Sequence, residues 1–341
     1  MSILTTRLAG AAGALALMAG AASAQTELKL ATFGPPTSYF YVDTVLPWAE
    51  AVSKDSGGTI TIKHFGGSVL GNAGNMYDTV LNGAADIGWG VQGAVPNKFV
   101  KSSVVELPFA YSAAEPGAVA LWRVYANGLV ASDYDQVKLL GVTTWPGGSI
   151  SSRDKPIRKL EDINGMKLAV SGKIRADAVT ALGGTPVNVP VDQMYQAIGK
   201  GVVDGNLASI TAMRQFKTHE VARHWVGIEL AGAGAMLFMN KSRYDGLPPQ
   251  AKAAIEKHSG EVLSRALGKT NDAEEKRGWD FLEQQVKLGK NAAVEPLSPA
   301  EVARFQKAVQ PIIEAWTQRT PNGKAVYEGY LSAVKSAKEG T

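Results

Sequence analysis

The sequence predicts an α/β protein built as two lobes on either side of a cleft. Residues 165–214 alternate short β-branched runs with helical runs and glycine turns, the pattern of an α/β sheet. The chain leaves a first set of such segments at Trp145-Pro146-Gly147-Gly148, a candidate hinge, and a strand at 236–239 returns to it. At 341 residues the chain is long enough to form two hydrophobic cores. Two crossings between the lobes suit a protein that opens and closes about its cleft.

The first lobe is predicted from strands and helices between residues 28 and 144. One helix carries Val45, Trp48, Ala49 and Val52 at the i, i+3, i+4, i+7 spacing of a single apolar face. Alternating apolar and polar residues indicate the strands. The other predicted elements are strands at 28–32, 59–65, 86–91 and 137–144 and helices at 76–82 and 115–130.

The second lobe is predicted from the segment 165–214. A strand at 167–170 leads into a helix that closes at Gly183-Gly184, followed by an extended run at 186–189. A helix at 191–200 and a strand ending at Asp204-Gly205 complete the segment. Because α/β sheets bind ligands at the carboxyl ends of their strands, we expect a solute site beside these ends.

A single helical run at 248–288 is predicted to connect the two lobes. About 40 helical residues would span about 60 Å, which is longer than one lobe, and glycines at 260, 268 and 278 are candidate breaks or bends. The predicted division of the chain is lobe I at 25–146 plus about 236–270, lobe II at 147–235 plus about 271–300, and C-terminal helices at 300–341.

The first 24 residues have the features of a secretory signal peptide. A basic residue, Arg7, precedes an apolar run rich in small residues, and Ala22-Ser23-Ala24 matches a cleavage site before Gln25. We therefore expect cleavage after Ala24 and a periplasmic protein. The lack of cysteine fits an oxidising compartment. The net charge of +4 with no basic run argues against a nucleic-acid partner.

Motifs for catalysis or metal binding are not convincing in this chain. His219 and His224 are five residues apart, whereas two ligands on one helical face need a spacing of four. No nucleophile, base and orienting group can be assembled, so we predict no enzyme activity, no metal and no cofactor. The more informative residues are aromatics beside glycine or proline at predicted strand ends, namely Tyr39, Phe40, Trp89 and Trp145. We expect these to line the cleft.

Several motifs together resemble the extracytoplasmic solute receptors of TRAP transporters (tripartite ATP-independent periplasmic transporters), of the DctP type. The most specific is Gly201-Val202-Val203-Asp204-Gly205, with Ala181-Leu182-Gly183-Gly184 and Pro186-Val187 before it. Further matches are Ser56-Gly57-Gly58-Thr59-Ile60, Gly83-Ala84-Ala85-Asp86-Ile87-Gly88, Leu107-Pro108-Phe109, Gly165-Met166-Lys167-Leu168 and Tyr195-Gln196-Ala197-Ile198.

The resemblance implies a two-lobed periplasmic-binding-protein fold with a hinge, mixed sheets and a long helix spanning both lobes. It also implies a small organic solute enclosed between the lobes and delivered to a small and a large integral membrane subunit. The alternatives are a sensor-type binding protein on the same fold, or an exported α/β hydrolase. A sensor cannot be distinguished by sequence, whereas the hydrolase lacks a visible catalytic set.

Three positions depart from the pattern of the family that this chain resembles. The arginine that usually holds a carboxylate falls on Ala169, a second basic position aligns near Ser149, and an asparagine falls near Ala208. A desolvated carboxylate needs a charge-assisted partner, and small residues cannot supply one. The sequence therefore predicts that the solute is not a simple carboxylate held by the usual arginine.

Three classes of solute remain open, which we rank as neutral, then anionic, then cationic. A neutral solute would use the aromatics with Ser149, Ser171 and Ser209, and an amine would use the aromatics with Glu106. An anion would use Arg175 or Arg214 with the helix N-terminus at 171–173. The candidate ligand-binding residues are Tyr39, Phe40, Trp89, Gln92, Trp145, Ser149, Ala169, Ser171, Arg175, Ala208 and Ser209.

Overall fold

Two mixed β-sheets, each packed with helices, form the two lobes of the molecule. The computed structural model describes residues 25–228, 230–290 and 293–340. The predicted signal peptide at 1–24 lies outside the described residues. The predicted two-lobed α/β fold is confirmed by the two sheets. Among the described residues, no helix is both long enough and apolar enough to span a membrane.

The strands divide between the sheets in a way that requires the chain to cross twice. In chain order they are β1 (Thr26–Ala31), β2 (Ile60–Phe65), β3 (Ile87–Val91), β4 (Val137–Trp145), β5 (Ser149–Ser152), β6 (Lys167–Val170), β7 (Thr185–Asn188), β8 (Gly205–Ala208), β9 (His224–Gly227), β10 (Ala233–Asn240) and β11 (Ala293–Val294). The first sheet has the order β2-β1-β3-β10-β4, and the second has the order β11-β9-β5-β8-β6-β7. Strand β10 runs antiparallel to both of its neighbours, while β1, β2 and β3 are parallel.

Helices cover both sheets and connect them. In chain order they are α1 (Leu46–Asp55), α2 (Met76–Leu81), α3 (Ala114–Ala126), α4 (Lys173–Ala181), α5 (Met194–Gly199), α6 (Ile210–Gln215), α7 (Lys241–Asp245), α8 (Pro249–His258), α9 (Glu261–Lys287), α10 (Pro299–Val309), α11 (Pro311–Arg319) and α12 (Gly323–Lys338). The apolar face predicted for the first helix is buried, including Trp48 and Val52. Helix α12 packs on α3 of the first lobe, whereas α10 and α11 contact α4 of the second.

The predicted hinge lies where the chain changes sheets. Strand β4 ends at Trp145 in the first sheet, and β5 begins at Ser149 in the second. The return crossing ends where β10 begins, at Ala233, before the predicted return at 236. The residue bounds of the two lobes stay a prediction, but both crossings involve the segments that the sequence indicated.

The helical run predicted at 248–288 is two helices, separated at Gly260, which is the first of the three glycines predicted to break or bend it. Ser259 is extended and Gly260 has a φ of +79°, so the helix stops and restarts between α8 and α9. The amide of Gly260 donates to the carbonyl of Leu140 at 2.7 Å instead of continuing α8. The interruption rotates the following residues, and Val262 is 68% exposed. Of these two helices, α9 is the one that contacts both lobes, packing on β4 and on α6.

The Asp204-Gly205 pair begins a strand and does not end one, which corrects the prediction. Strand β8 starts at Gly205 and passes so close to β5 that a Cβ atom there would lie 1.8 Å from the carbonyl oxygen of Ser151. Asp204 accepts a hydrogen bond from the amide of Lys167 at 2.8 Å. The pair therefore fixes the register of β8 between β5 and β6.

Candidate functional site

A cavity lies between the lobes, where strands of both sheets end. In the first sheet β1, β3 and β4 point the same way, and in the second sheet β6 and β8 do. Residues at or just beyond the carboxyl ends of all five strands line the cavity, as expected for an α/β sheet. Its volume is about 50 Å³. This is room for a few water molecules or one small, compact solute.

Aromatic rings form most of the cavity wall. Phe40 stacks on Trp89 with ring centroids 4.5 Å apart, and Trp145 meets Trp89 edge-on at 6.4 Å. Phe33 of the first lobe stacks on Phe216 of the second with centroids 6.3 Å apart. Since this last pair joins the lobes, the rings enclose the cavity from both sides. Such a wall favours a flat, apolar solute.

A hydrogen-bond chain holds two of these aromatic side chains in place. The indole N–H of Trp145 donates to the hydroxyl of Tyr39 at 3.0 Å, and that hydroxyl donates to Oδ1 of Asn271 at 3.0 Å. Asn271 in turn donates to Thr143 and to the carbonyl of Thr144, both at 2.9 Å. The chain ties α9 to the end of β4 beside the hinge. The cavity wall and the interlobe helix are therefore one connected unit.

Arg175, on α4, is the one arginine among the described residues that line the cavity. Its side chain is 6% exposed, and Nε donates to the carbonyl of Gly232 at 3.1 Å. No acceptor among the described residues lies within hydrogen-bond reach of its Nη2, which is buried. Burial lowers the pKa of Arg175, partly offset by Glu106, but an arginine remains charged at neutral pH. A buried cation with a free donor is the complement of a carboxylate.

Arg214, the other arginine predicted to bind an anionic solute, is paired with a carboxylate of the protein. Its Nη1 donates to Oε1 of Glu274 at 2.7 Å, and its guanidinium lies over the ring of Phe281. The second oxygen of Glu274 accepts from Arg277 at 2.8 Å. Arg214 does not line the cavity. Its contacts join α6 to α9, which is a structural role.

Glu106 lines the same cavity as Arg175 and is 4% exposed. Burial raises the pKa of the Glu106 carboxyl to about 7, while the charge of Arg175 acts in the opposite direction. The site therefore combines a buried cation with a buried carboxyl that is partly protonated at neutral pH. No group of three or more side chains suited to a metal ion occurs among the described residues.

Comparison with known proteins identifies the family. The family model of bacterial extracellular solute-binding proteins, family 7 (DctP), matches residues 30–319. The chain belongs to this family. It is 26% identical over 239 residues to the C4-dicarboxylate-binding periplasmic protein DctP of Rhodobacter capsulatus, covering 69% of this chain and 67% of that protein.

Two solved structures of TRAP solute-binding proteins resemble this family 7 chain throughout. One, from a marine metagenome, is described as specific for aromatic acid ligands and contains 3-hydroxybenzoate; it has 27% identity and a TM-score of 0.85. The other, from Rhodoferax ferrireducens, contains copurified benzoate and has 26% identity and a TM-score of 0.85. Each match covers 92% of this chain and 99% of the other. The chain is thus a TRAP solute-binding protein of a periplasmic family that works with TRAP membrane components.

Most of the predicted ligand-binding residues of this solute-binding protein meet at the cavity. Those that line it are Tyr39, Phe40, Trp89, Trp145, Ser171, Arg175 and Ser209. Four others do not line it. Gln92 is turned to a second cleft and donates to Tyr134, and Ser149 donates to the carbonyl of Ala208 at 3.1 Å in the β5–β8 ladder. Ala208 is buried in the second core.

Ala169, at the position where the family's usual arginine is expected, also lies outside the cavity lining. It is 0% exposed and belongs to the apolar cluster that contains Met194 and Ile198. A small apolar side chain there fills the core of the second lobe and offers no hydrogen bond. The position that carries charge in the predicted pattern is therefore occupied by a buried apolar side chain in this chain.

Further residues line the cavity that the sequence did not single out as ligand-binding. They are Phe33, Val91, Val191, Met194, Thr211, Ala212, Gln215, Phe216, Ala233 and the already discussed Glu106. Thr211, Gln215 and Phe216 come from α6 and the residue that follows it. The signal for them was that α6 begins directly after β8, at the carboxyl end of a strand. Phe216 has no local sequence signal, because its contact with Phe33 joins distant parts of the chain.

Proposed function

We propose that this TRAP solute-binding protein captures an aromatic monocarboxylate between its lobes. The single observation that carries the proposal is the buried Nη2 of Arg175, which has no acceptor among the described residues and belongs to a side chain lining a cavity walled by aromatic rings. Burying a charge without a partner is unfavourable. A carboxylate would supply that partner, and a ring attached to it would pack between Phe40, Trp89 and Trp145.

The relatives support the same solute class. The marine metagenome protein binds 3-hydroxybenzoate and the Rhodoferax protein binds benzoate, and both share more than a quarter of their residues with this chain. Of the three solute classes left open by the sequence, this proposal takes the anion and places Arg175 in the role of the missing arginine. It therefore departs from the ranking that put a neutral solute first.

Three probes of similar size test this choice. Benzoate, benzyl alcohol and benzylamine differ mainly in the charge of one group, so isothermal titration calorimetry of the purified protein measures what the cavity recognises. Benzoate is expected to bind at least about tenfold more tightly than either of the others, since a hydrogen bond to a charged group contributes about 1.5–3 kcal/mol. Tighter binding of benzyl alcohol than of benzoate would contradict the proposal and favour a neutral solute.

We also propose that the chain is exported with cleavage after Ala24 and passes its solute to a small and a large integral membrane subunit. Solute contacts to both lobes occur only when these are closed, so binding favours the closed form that would dock. N-terminal sequencing of the periplasmic protein should begin at Gln25. Uptake of labelled benzoate should require both membrane subunits in addition to this chain.

A receptor fits the cavity better than a hydrolase does. Ser171 and Ser209 line the cavity, but no histidine occurs among the described lining residues. The hydroxyl of Ser209 is hydrogen-bonded to that of Thr211 at 2.9 Å. Nucleophilic serine needs an adjacent base. The wild-type protein should therefore release 4-nitrophenol from 4-nitrophenyl acetate no faster than the Arg175→Met variant does.

A further inference from the structure

A buried carboxyl group in the cavity wall accepts no hydrogen bond from the part of the chain that the structure describes. Glu106 ends a short 3-10 helix, Ser102–Glu106, in the first lobe, and its side chain is 4% exposed. No described residue donates a hydrogen bond to its carboxyl group. Buried carboxyl groups normally have such partners, so this one requires an explanation.

Two glycines make room for this carboxyl group. A Cβ atom at Gly93 would lie 2.8 Å from Oε1 of Glu106, and one at Gly172 would lie 3.4 Å from Oε2. Gly93 belongs to the first lobe and Gly172 caps α4 of the second, with a φ of +98°. The backbones of the two lobes therefore meet beside Glu106. Side chains at these positions would push the carboxyl group out of the cavity wall.

The charged groups around Glu106 leave its oxygens available to a solute. Arg175 on α4 faces it but forms no ion pair with it within 4.0 Å. Lys98 and Lys173 lie in the cleft on its other side, and Lys173 is paired with Asp177 at 2.9 Å. The hydroxyl of Tyr111 donates a hydrogen bond to the carbonyl of Trp145 at 2.6 Å. None of these groups donates to the Glu106 carboxyl.

We propose that Glu106 is a specificity-determining residue that accepts a hydrogen bond from a hydroxyl group of the solute. This inference rests on the proposed function, in which Arg175 holds the solute carboxylate. The substrate class then narrows to hydroxy-substituted aromatic carboxylates. Glu106 and Arg175 line one small cavity, so a single compact molecule reaches both.

The placement of the two residues explains why such a solute would close the protein. Glu106 belongs to the first lobe and Arg175 to the second. A solute with a carboxylate at one position and a hydroxyl at another bonds to both lobes at once, which it can do only in the closed form. Differential affinity of this kind shifts the equilibrium towards closure. An unsubstituted ring acid would leave Glu106 buried without a donor.

A hydroxyl fits this position better than an ammonium group. The Arg175 guanidinium faces the same carboxyl, and a second cation beside it would be repelled. In addition, burial raises the pKa of Glu106 to about 7, so the carboxyl is partly neutral at neutral pH. A hydroxyl donates to either form of the carboxyl, whereas an ammonium group requires the charged form.

Calorimetry with benzoate and its 2-, 3- and 4-hydroxy derivatives tests the proposal on the wild-type protein first. One hydroxy isomer is expected to bind at least about tenfold more tightly than benzoate. In Glu106→Leu, which has a similar volume without polar atoms, this preference should fall to within about twofold. Glu106→Gln keeps an acceptor and should retain most of the preference, which makes it the matched control.

The possible failures separate this inference from the proposed function. If benzoate binds and Arg175→Met abolishes that binding, but no hydroxy isomer is preferred, the role of Glu106 is overturned while the proposed function stands. The same holds if Glu106→Leu retains the preference. Tighter binding of 3-(aminomethyl)benzoate than of every hydroxy isomer overturns the hydroxyl assignment. If no aromatic carboxylate binds to the wild type, both proposals fall.

Discussion

Arg175 and Arg214 lie in the same lobe, yet they are in opposite situations. Arg214 bonds to Glu274 at 2.7 Å and covers the ring of Phe281. Arg175 is more deeply buried, but the one acceptor that it has among the described residues is the carbonyl of Gly232. Arg214 therefore has a carboxylate partner within the chain. Arg175 is held in an aromatic cavity with one donor left free.

The comparison shows how a binding residue differs from a structural one. Protein interiors rarely leave a buried polar group without a partner. Where a fold does so beside a cavity, the missing partner is best sought in a ligand. The presence of an arginine near the strand ends is therefore less informative than whether the protein already satisfies it. The predictions below test this distinction.

Replacing each arginine by methionine should give the largest contrast. Arg175→Met is expected to weaken benzoate binding at least about 30-fold, because loss of one partner of a buried, hydrogen-bonded charge pair costs 2–5 kcal/mol. Arg214→Met should change the affinity by less than about threefold and lower the melting temperature instead. Titration calorimetry and thermal unfolding measure the two effects. Equal losses of affinity in both variants would remove the distinction.

Glu106 should give the protein a distinctive dependence of stability on pH. Its folded pKa is raised to about 7 from an ordinary value of 4.5, so the folded state binds more protons between these values. The free energy of unfolding should therefore fall as pH rises through this window, by at most about 3 kcal/mol from this group. The Glu106→Gln variant should not show this fall in the free energy of unfolding, because glutamine does not titrate.

The difference in the free energy of unfolding between the wild type and Glu106→Gln isolates the contribution of the Glu106 carboxyl to stability. Urea unfolding without solute, at pH 4.5, 6 and 7.5, should show Glu106→Gln gaining stability relative to the wild type as pH rises. A difference that does not vary with pH would mean that Glu106 titrates normally. The cost of a buried carboxyl without a partner would then be smaller than its burial indicates.

Glu274 should behave as the structural counterpart. In Glu274→Gln, Arg214 and Arg277 lose their common charged partner, which is itself buried. Both arginines are partly exposed and regain water, so we expect unfolding to become easier by only about 1–2 kcal/mol. Benzoate affinity should stay within about threefold of the wild type. A large loss of affinity would mean that the α6–α9 junction contributes to the site.

Removing the hydroxyl of Tyr39 should have the smallest effect. Tyr39→Phe leaves the indole N–H of Trp145 without its acceptor and Oδ1 of Asn271 without a donor. We expect a loss of about 1 kcal/mol in stability and a few-fold loss in benzoate affinity through a less ordered Trp145. Chemical denaturation and calorimetry measure these values. As a comparison, Tyr41→Phe removes a hydroxyl of a residue outside the cavity lining.

Much of the fold could be predicted because its signals are local. The apolar spacing of α1, the alternation in β2 and the proline and glycines after Trp145 each act over a few residues. Gly260 indicated a break or a bend in the helical run. The sequence does not show which of the two occurs, since the break depends on a hydrogen bond from the Gly260 amide to the carbonyl of Leu140. The start of β8 at Gly205 likewise depends on its close approach to Ser151.

The cavity was predictable in part for the same reason. Tyr39, Phe40, Trp89 and Trp145 stand at strand ends, where the position along the chain indicates the cleft. The roles of the two arginines could not be predicted, because the sequence does not show which one pairs with Glu274. Glu106 was considered only as a partner for an amine. Its relation to Arg175 arises from two lobes that meet across the cavity.

A crystal structure of the protein grown with benzoate tests the central claim most directly. We expect one benzoate between the lobes, with a carboxylate oxygen about 3 Å from Nη2 of Arg175 and the ring beside Trp89 and Trp145. Arg214 should remain bonded to Glu274. A benzoate carboxylate bound to Arg214, or one in the cavity that points away from Arg175, would contradict the account.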